Sequence, residues 1–317
     1  MSKTRKIVDE ILSVRERRKS DFPQTELFMR LSKIESAYSR RDKNNEELNR
    51  YFPIAAVACI ESYFRLVIAR LIDSGEPYLS NAQSIMPRNN NGYDVLKALH
   101  GRTVSIGDVI GHSVPLSRLH RIDSAMSDLL EIKYLNELRE THDRWEVEVK
   151  GMPSTPIIKY PDKVYAGVKK AFELRHIFCH ETSSAHEHTQ EDIEESFESS
   201  VVFLKASEEY IAEVMHPNAP LTQTAMNQST AEQYRKNREE MDALLNDLRS
   251  ILQPNQIAEL NTANAAWDDY LKAIVTVEGL GYEGGSIRPM IEGGAMARLT
   301  QQRSSQIIEL IEAIGEP

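Results

Sequence analysis

The stretch AVACIESYFRLVIARLID, residues 56–73, decides the fold class. Val57, Ile60, Phe64, Val67, Ile68 and Leu71 recur at three- and four-residue spacing, so they line one face of a helix over 54–72 rather than alternating across a strand. Its most apolar part, PIAAVACI at 53–60, is interrupted by Glu61 and is far shorter than the roughly 20 residues a membrane span needs. The expectation is a core helix and no membrane.

Outward from this helix the same periodicity repeats. Segments near 4–19, 24–40, 115–143, 161–179, 189–215, 230–252, 254–278 and 297–314 all read as helices, and no run alternates as a strand would. An all-α fold follows. Pro161 suits the first turn of its helix. Between 74 and 114, Gly75, Pro77, Pro87, the NNNG at 89–92, Gly101, Gly107 and Gly111 break the chain into short pieces, and Pro153 and Pro156 do the same over 150–160. Residues 74–160 therefore read as an irregular insert between two long helices of a bundle. HPNAPLTQTAMNQS, 216–229, has two prolines and no helical stripe, so it reads as a linker between a domain over 1–215 and another over 230–317.

Composition narrows the class. An apolar share of 41% with 27% charged residues is that of an ordinary globular chain. The net charge of −10 argues against a broad basic face for nonspecific nucleic-acid binding, though not against a small cationic site. Cys59 and Cys179 are too few for a disulfide framework, and the first twenty residues lack the continuous apolar core of a secretion signal, so a cytoplasmic location is expected. The acidic run EHTQEDIEESFE at 187–198 reads as the solvated first turn and outer face of a helix. Phosphate-loop, dinucleotide, zinc-ribbon and nucleophile-elbow patterns are absent, and no cofactor is expected.

The chemistry-bearing segment is ELRHIFCHE, 173–181. One Arg-x4-His spacing is about what chance supplies in a chain of this composition, so position carries more than spacing. With Val168 at zero on a helix of about 100° per residue, Arg175 falls near −20°, inside the apolar stripe formed by Val164, Ala171, Phe172 and Phe178. His176 and His180 fall near 80° and 120°, one turn apart. An arginine on such a stripe needs a carboxylate partner or a purpose, and Glu61, near the edge of its own stripe, is the candidate partner. Two other readings stand beside a catalytic one. His176 and His180 with Cys179, His186 or His188 could bind zinc. Alternatively, an Arg175–Glu61 bridge could simply hold an inert bundle together, with His180 a cation at a helix end.

RHIFCH resembles the Arg-polar-x3-His motif of HEPN domains. The resemblance takes in the earlier helix 56–73 and the helix after the motif, covers about 24–215, and leaves 74–160 as a poorly matching insert. It implies an α-helical bundle that dimerises so that two motifs face each other, and a metal-independent endoribonuclease leaving a 2′,3′-cyclic phosphate and a 5′-hydroxyl. In that scheme His180 is the general acid or base on the RNA 2′-hydroxyl or the leaving 5′-oxygen, because imidazole titrates near working pH. Arg175 stabilises charge on the phosphoryl oxygens. His176 orients the site or contacts phosphate. Glu61 holding Arg175 in place is an inference from geometry.

LNTANAAWDDYLKA (260–273), GYEGGSIRPM (281–290) and ARLTQQRSSQIIEL (297–310) are similar to the lysozyme-inhibitor LprI family of small helical domains. Members often carry paired cysteines; here Val275 and Ala295 stand near those places. Trp267 and Tyr270 are expected as core anchors, with Gly284 and Gly285 making a tight turn. Together the two resemblances imply a toxin-like RNase of bacterial antiphage defence, acting on RNA (tRNA among the candidate substrates) as a homodimer. A phage or cellular trigger would engage the C-terminal module. The alternative is a catalytically inactive helical binding or antitoxin-like protein.

Overall fold

The computed structural model describes residues 3–17, 23–86, 100, 104–180 and 188–315. Among them there is no strand, and the chain is all-α. It divides into two compact units, Met1–Pro217 and Asn218–Pro317.

The first unit contains α1 (Lys3–Glu16), α2 (Pro23–Ser39), α3 (Glu46–Asp73), α4 (Tyr78–Ile85), α5 (Ile106–Ser113), α6 (Leu119–Leu130), the short α7 (Tyr134–Glu137), a π-helical turn at Trp145–Val149, α8 (Pro161–His180) and α9 (Gln190–Met215). α3 is its axis, packed by α2, α5, α8 and α9. The helix starts where Asn45 accepts the Leu48 N–H at 3.0 Å, and Glu46 and Glu47 sit favourably in its first turn. Pro53 leaves the Asn49 carbonyl without its usual helical donor, while the Asn49 side chain donates to the Lys43 carbonyl at 2.8 Å.

More than one stripe of α3 is covered. Ala55, Ala56, Cys59, Tyr63 and Ile72 are buried along with Val57, Ile60, Phe64, Val67, Ile68 and Leu71. A helix apolar nearly all round belongs in a core. By length and composition α3 is long and apolar enough to cross a membrane, which corrects the shorter estimate made from 53–60, and two-thirds of its apolar window is buried inside the protein.

The stretch 74–160 is irregular but is not an appendage. Ile110, Val114, Leu116, Ile122, Met126, Leu129, Tyr134, Leu138 and Ile158 join the same core as α3, each large aliphatic side chain adding about 2 kcal/mol by burial. Gly107 and Gly111 let α5 lie against α3, since a Cβ at either would collide with the Ala69 or Arg65 carbonyl. Asp73 then accepts the Gly107 N–H at 3.0 Å. The Pro87 and NNNG segment falls outside the described residues. The single helix expected over 115–143 is instead α6 and α7, because Glu131 turns left-handed at φ 56° and ends α6 without a glycine or proline to announce it. The Ser127 hydroxyl receives the Tyr134 N–H at 3.0 Å and starts the next turn.

The acidic run is less solvated than expected. Thr189 and Asp192 form a reciprocal cap at the start of α9. Glu194 then binds Arg41 at 2.6 Å and Lys43 at 2.9 Å, and Tyr38 donates to Glu198 at 3.0 Å. Arg41 lies over the Tyr38 ring, 3.6 Å from its centroid. These carboxylates tie the α2–α3 turn to α9, and the hydrogen bond from Lys43 holds Glu194 below the ordinary carboxylate range.

The second unit is three long helices, α10 (Gln223–Ile251), α11 (Pro254–Gly279) and α12 (Arg288–Gly315), with a 3₁₀ turn at Leu280–Tyr282. α10 begins within the supposed linker 216–229, because Thr222 caps it by accepting the Ala225 N–H at 3.1 Å. α12 likewise begins nine residues before the expected 297. Trp267 joins two apolar clusters, one of Met241, Leu245, Leu248, Leu260 and Ile307, the other of Leu271, Val275, Ala295 and Leu299. Tyr270 is not a core anchor: it points outward, 52% exposed. Gly284 takes φ 76° in the turn before α12, as a glycine there allows.

Candidate functional site

α8 carries the Arg-x4-His segment and is fixed along one face. Val168, Ala171, Phe172 and Leu174 are buried. Gly167 faces α9 so closely that a Cβ would collide with the Ser199 side chain. The Tyr165 hydroxyl donates to the Leu135 carbonyl at 2.6 Å, and burial pushes this phenol up to about 12. The body of α8, Tyr165 to Leu174, is thus held by buried contacts on one face, while Arg175 to His180 at its end are half-buried or exposed.

On the held side, the Arg175 guanidinium lies 3.8 Å from the Glu61 carboxylate of α3, with side chains 32% and 16% exposed. This is a charge pair beyond hydrogen-bond length, so Arg175 is steered without being locked. On the open side is a cleft of about 680 Å³ between the start of α6 and the face of α8. Arg118 and His120 form one wall; Lys169, Glu173, Arg175 and His176 form the other, over the apolar Leu119, Phe172 and Ile177. Arg118 occupies the N-cap of α6 with no side-chain cap, so the helix end adds partial positive charge to that wall. The one carboxylate of the lining, Glu173, has Lys170 3.7 Å away.

His176 lines this cleft and His180 does not. The two imidazoles are nonetheless neighbours, with ring centroids 5.3 Å apart, and His180 is exposed at the end of α8. Five residues along a helix separate side chains by about 140° and about 7.5 Å of rise, so Arg175 and His180 of one chain point apart. Glu61 and Arg175 come together, His176 joins Arg175 at the cleft, and His180 stands one turn beyond. Phe178 packs on His188, with centroids 4.9 Å apart, under the Arg50 guanidinium.

Among the described residues no three His, Cys, Asp or Glu side chains are grouped to hold a metal ion. Of the zinc candidates, His186 lies outside the described residues. Sequence reasoning missed Arg118, His120 and Lys169. The first two lie some fifty residues before Lys169, near the start of the segment 115–143 read as one helix, and only the folded chain brings them to α8.

The architecture is that of a two-unit, all-α protein with a cationic cleft in its N-terminal unit. Comparison with known proteins adds an assignment for the other unit: residues 216–307 match the family model described as Lysozyme inhibitor LprI, so the C-terminal unit carries an LprI-type domain. No curated protein and no solved structure matches the chain. The positions where the family resemblance places paired cysteines, Val275 and Ala295, share one buried cluster, so an apolar contact stands there instead. Arg303 donates to Asn264 at 3.2 Å and Gln306 at 3.1 Å, an internal role.

Proposed function

We propose that the N-terminal unit is a metal-independent, HEPN-type endoribonuclease and that the C-terminal unit regulates it as a receptor for a protein or other trigger. The observation that carries this reading is Arg175 beside Glu61 on the wall of a cationic cleft, with His176 and His180 following along the open face of α8. In the reaction, His180 takes the proton of an RNA 2′-hydroxyl as that oxygen attacks the adjacent phosphorus. The P–O5′ bond breaks, leaving a 2′,3′-cyclic phosphate; the departing oxygen takes a proton from water to become a 5′-hydroxyl, and His180 returns the proton it took to solvent. Arg175 faces the phosphoryl oxygens, where charge accumulates.

The divergence of Arg175 and His180 on one helix supports a homodimer in which one copy's His180 meets the phosphate held by the other's Arg175. Cytoplasmic action in antiphage defence, with tRNA among the substrates, belongs to the same proposal. The test is cleavage of total RNA and tRNA in EDTA by wild type, Arg175→Ala and His180→Ala, with end-group analysis. Cyclic phosphate ends lost in both variants support the reading; cleavage that survives both substitutions sinks it.

A second reading has an observation of its own, the LprI match. An inert bundle could present the LprI-type domain to a lysozyme or another protein, with Arg175–Glu61 only a packing pair. Overexpression separates the two: toxicity relieved by His180→Ala belongs to the nuclease alone.

A further inference from the structure

We propose that Arg118, His120 and Lys169 form a phosphate-binding track that holds single-stranded RNA on its way to His180; the identity of the strand rests on the nuclease reading above. Three observations carry the track. First, these side chains are exposed and, among the described residues, take part in no salt bridge; Arg30, Arg65, Arg70 and Arg121 share that lack, but here three such cations line one cleft. In a chain of net charge −10, a cleft where Arg118, His120, Lys169, Arg175 and His176 outnumber the one lining carboxylate, Glu173, attracts an anion.

Second, the cations face each other across a concavity of about 680 Å³ whose floor is apolar. Charged walls over an apolar floor suit a nucleotide strand, with phosphates on the rim and base faces below. Third, the track leads to the proposed catalytic histidine. Lys169, His176 and His180 fall within about 40° of one another on α8, and eleven residues of helix span about 16 Å. That is the length of between four and five stacked nucleotides at ~3.4 Å each.

The experiment uses the full chain with His180→Ala, so that the probe, a fluorescein-labelled 12-nucleotide single-stranded RNA, survives. Adding Arg118→Glu and Lys169→Glu should raise Kd by ~10-fold or more and lower the slope of log affinity against log salt by about 1.4, two phosphate contacts on a single strand. The same charge reversal at Lys236, exposed in the other unit, should leave both unchanged. Arg118→Gln with Lys169→Gln should give a smaller loss in the same direction, and thermal melts confirm that each variant is folded. A Kd unmoved by both double substitutions, or no binding by any form, overturns the track. Track-dependent binding without cleavage by any His180-containing form sinks the nuclease reading alone. His180-dependent cleavage with track-independent binding sinks the track alone.

Discussion

Replacing Glu61 by glutamine removes one charge beside Arg175 with almost no change of shape. At the observed 3.8 Å and an effective dielectric constant of ~20, two unit charges attract by about 4 kcal/mol. Much of that is offset, because Glu61 has given up most of its hydration while a third of Arg175 still faces water and no hydrogen bond joins them. A coupling of about 1 kcal/mol remains. The assay is a double-mutant cycle with Glu61→Gln, Arg175→Gln and the pair, each unfolded in urea for the free energies and by heat for Tm. The chain has two tryptophans, Trp145 in the first unit and Trp267 in the second, so a Trp267→Phe background makes fluorescence report the first unit. Glu61→Gln alone should lower that unit's Tm by about 2–4 °C, as ~1 kcal/mol does in a domain of this size. A coupling energy below ~0.3 kcal/mol would refute the pair, whatever the single substitutions cost.

Other outcomes follow from the packing and the charges. Gly107→Ala should cost about 2 kcal/mol in the same fluorescence melt, since the new methyl meets the Ala69 carbonyl, whereas Gly294→Ala, with open space around it, should stabilise the second unit by roughly 0.5–1 kcal/mol. Asp192 is held below its ordinary range first by the Thr189 N–H, and Glu194 first by Lys43. Both therefore contribute stability fully above the ordinary carboxylate pKa of about 4 and lose it as pH falls through their lowered values. Between pH 5 and 3 the Tm of wild type should accordingly drop further than that of Asp192→Asn. Thiol titration should find one fast cysteine, Cys179, and a second, Cys59, only in denaturant, because Cys59 is fully buried and burial pushes its thiol up; with both cysteines free, reductant should leave the melt unchanged.

Periodicity made the helices legible because each long one keeps an apolar face against a core, as Val168 and Phe172 do in α8 and Leu245 and Leu248 in α10. It failed where a helix boundary depends on a backbone choice or a polar cap. Glu131 turns left-handed with no glycine to mark it, and Thr222 starts a helix in a segment rich in small polar residues. The approach of Arg175 to Glu61 could be read from a helical wheel, since it depends on the angle of one residue on each of two helices. The cleft could not. Its far wall, Arg118 and His120, is positioned by the burial of Leu119 and Ile122 in a core that also draws on α3 and α9, and nothing local in the sequence records that. The apparent freedom of the acidic run failed for the same reason: Arg41 and Lys43 are distant in sequence and adjacent in space.

The burial of α3 has a consequence for how the protein is made. Its partners in the core extend to Ile211, 138 residues beyond Asp73, so α3 leaves the ribosome long before α9 exists to cover it. At ~5–20 residues per second the interval is roughly 7 to 28 s, during which the nascent chain carries a half-covered helix apolar enough to enter a bilayer or to recruit other exposed segments. α2, made before α3, can cover one side through Leu27, Leu31 and Ile34, and the α5–α6 region is the next to emerge and adds cover through Ile110, Leu119 and Ile122. The irregular middle of the chain thus shelters the most aggregation-prone helix until synthesis reaches the residues that finish the core.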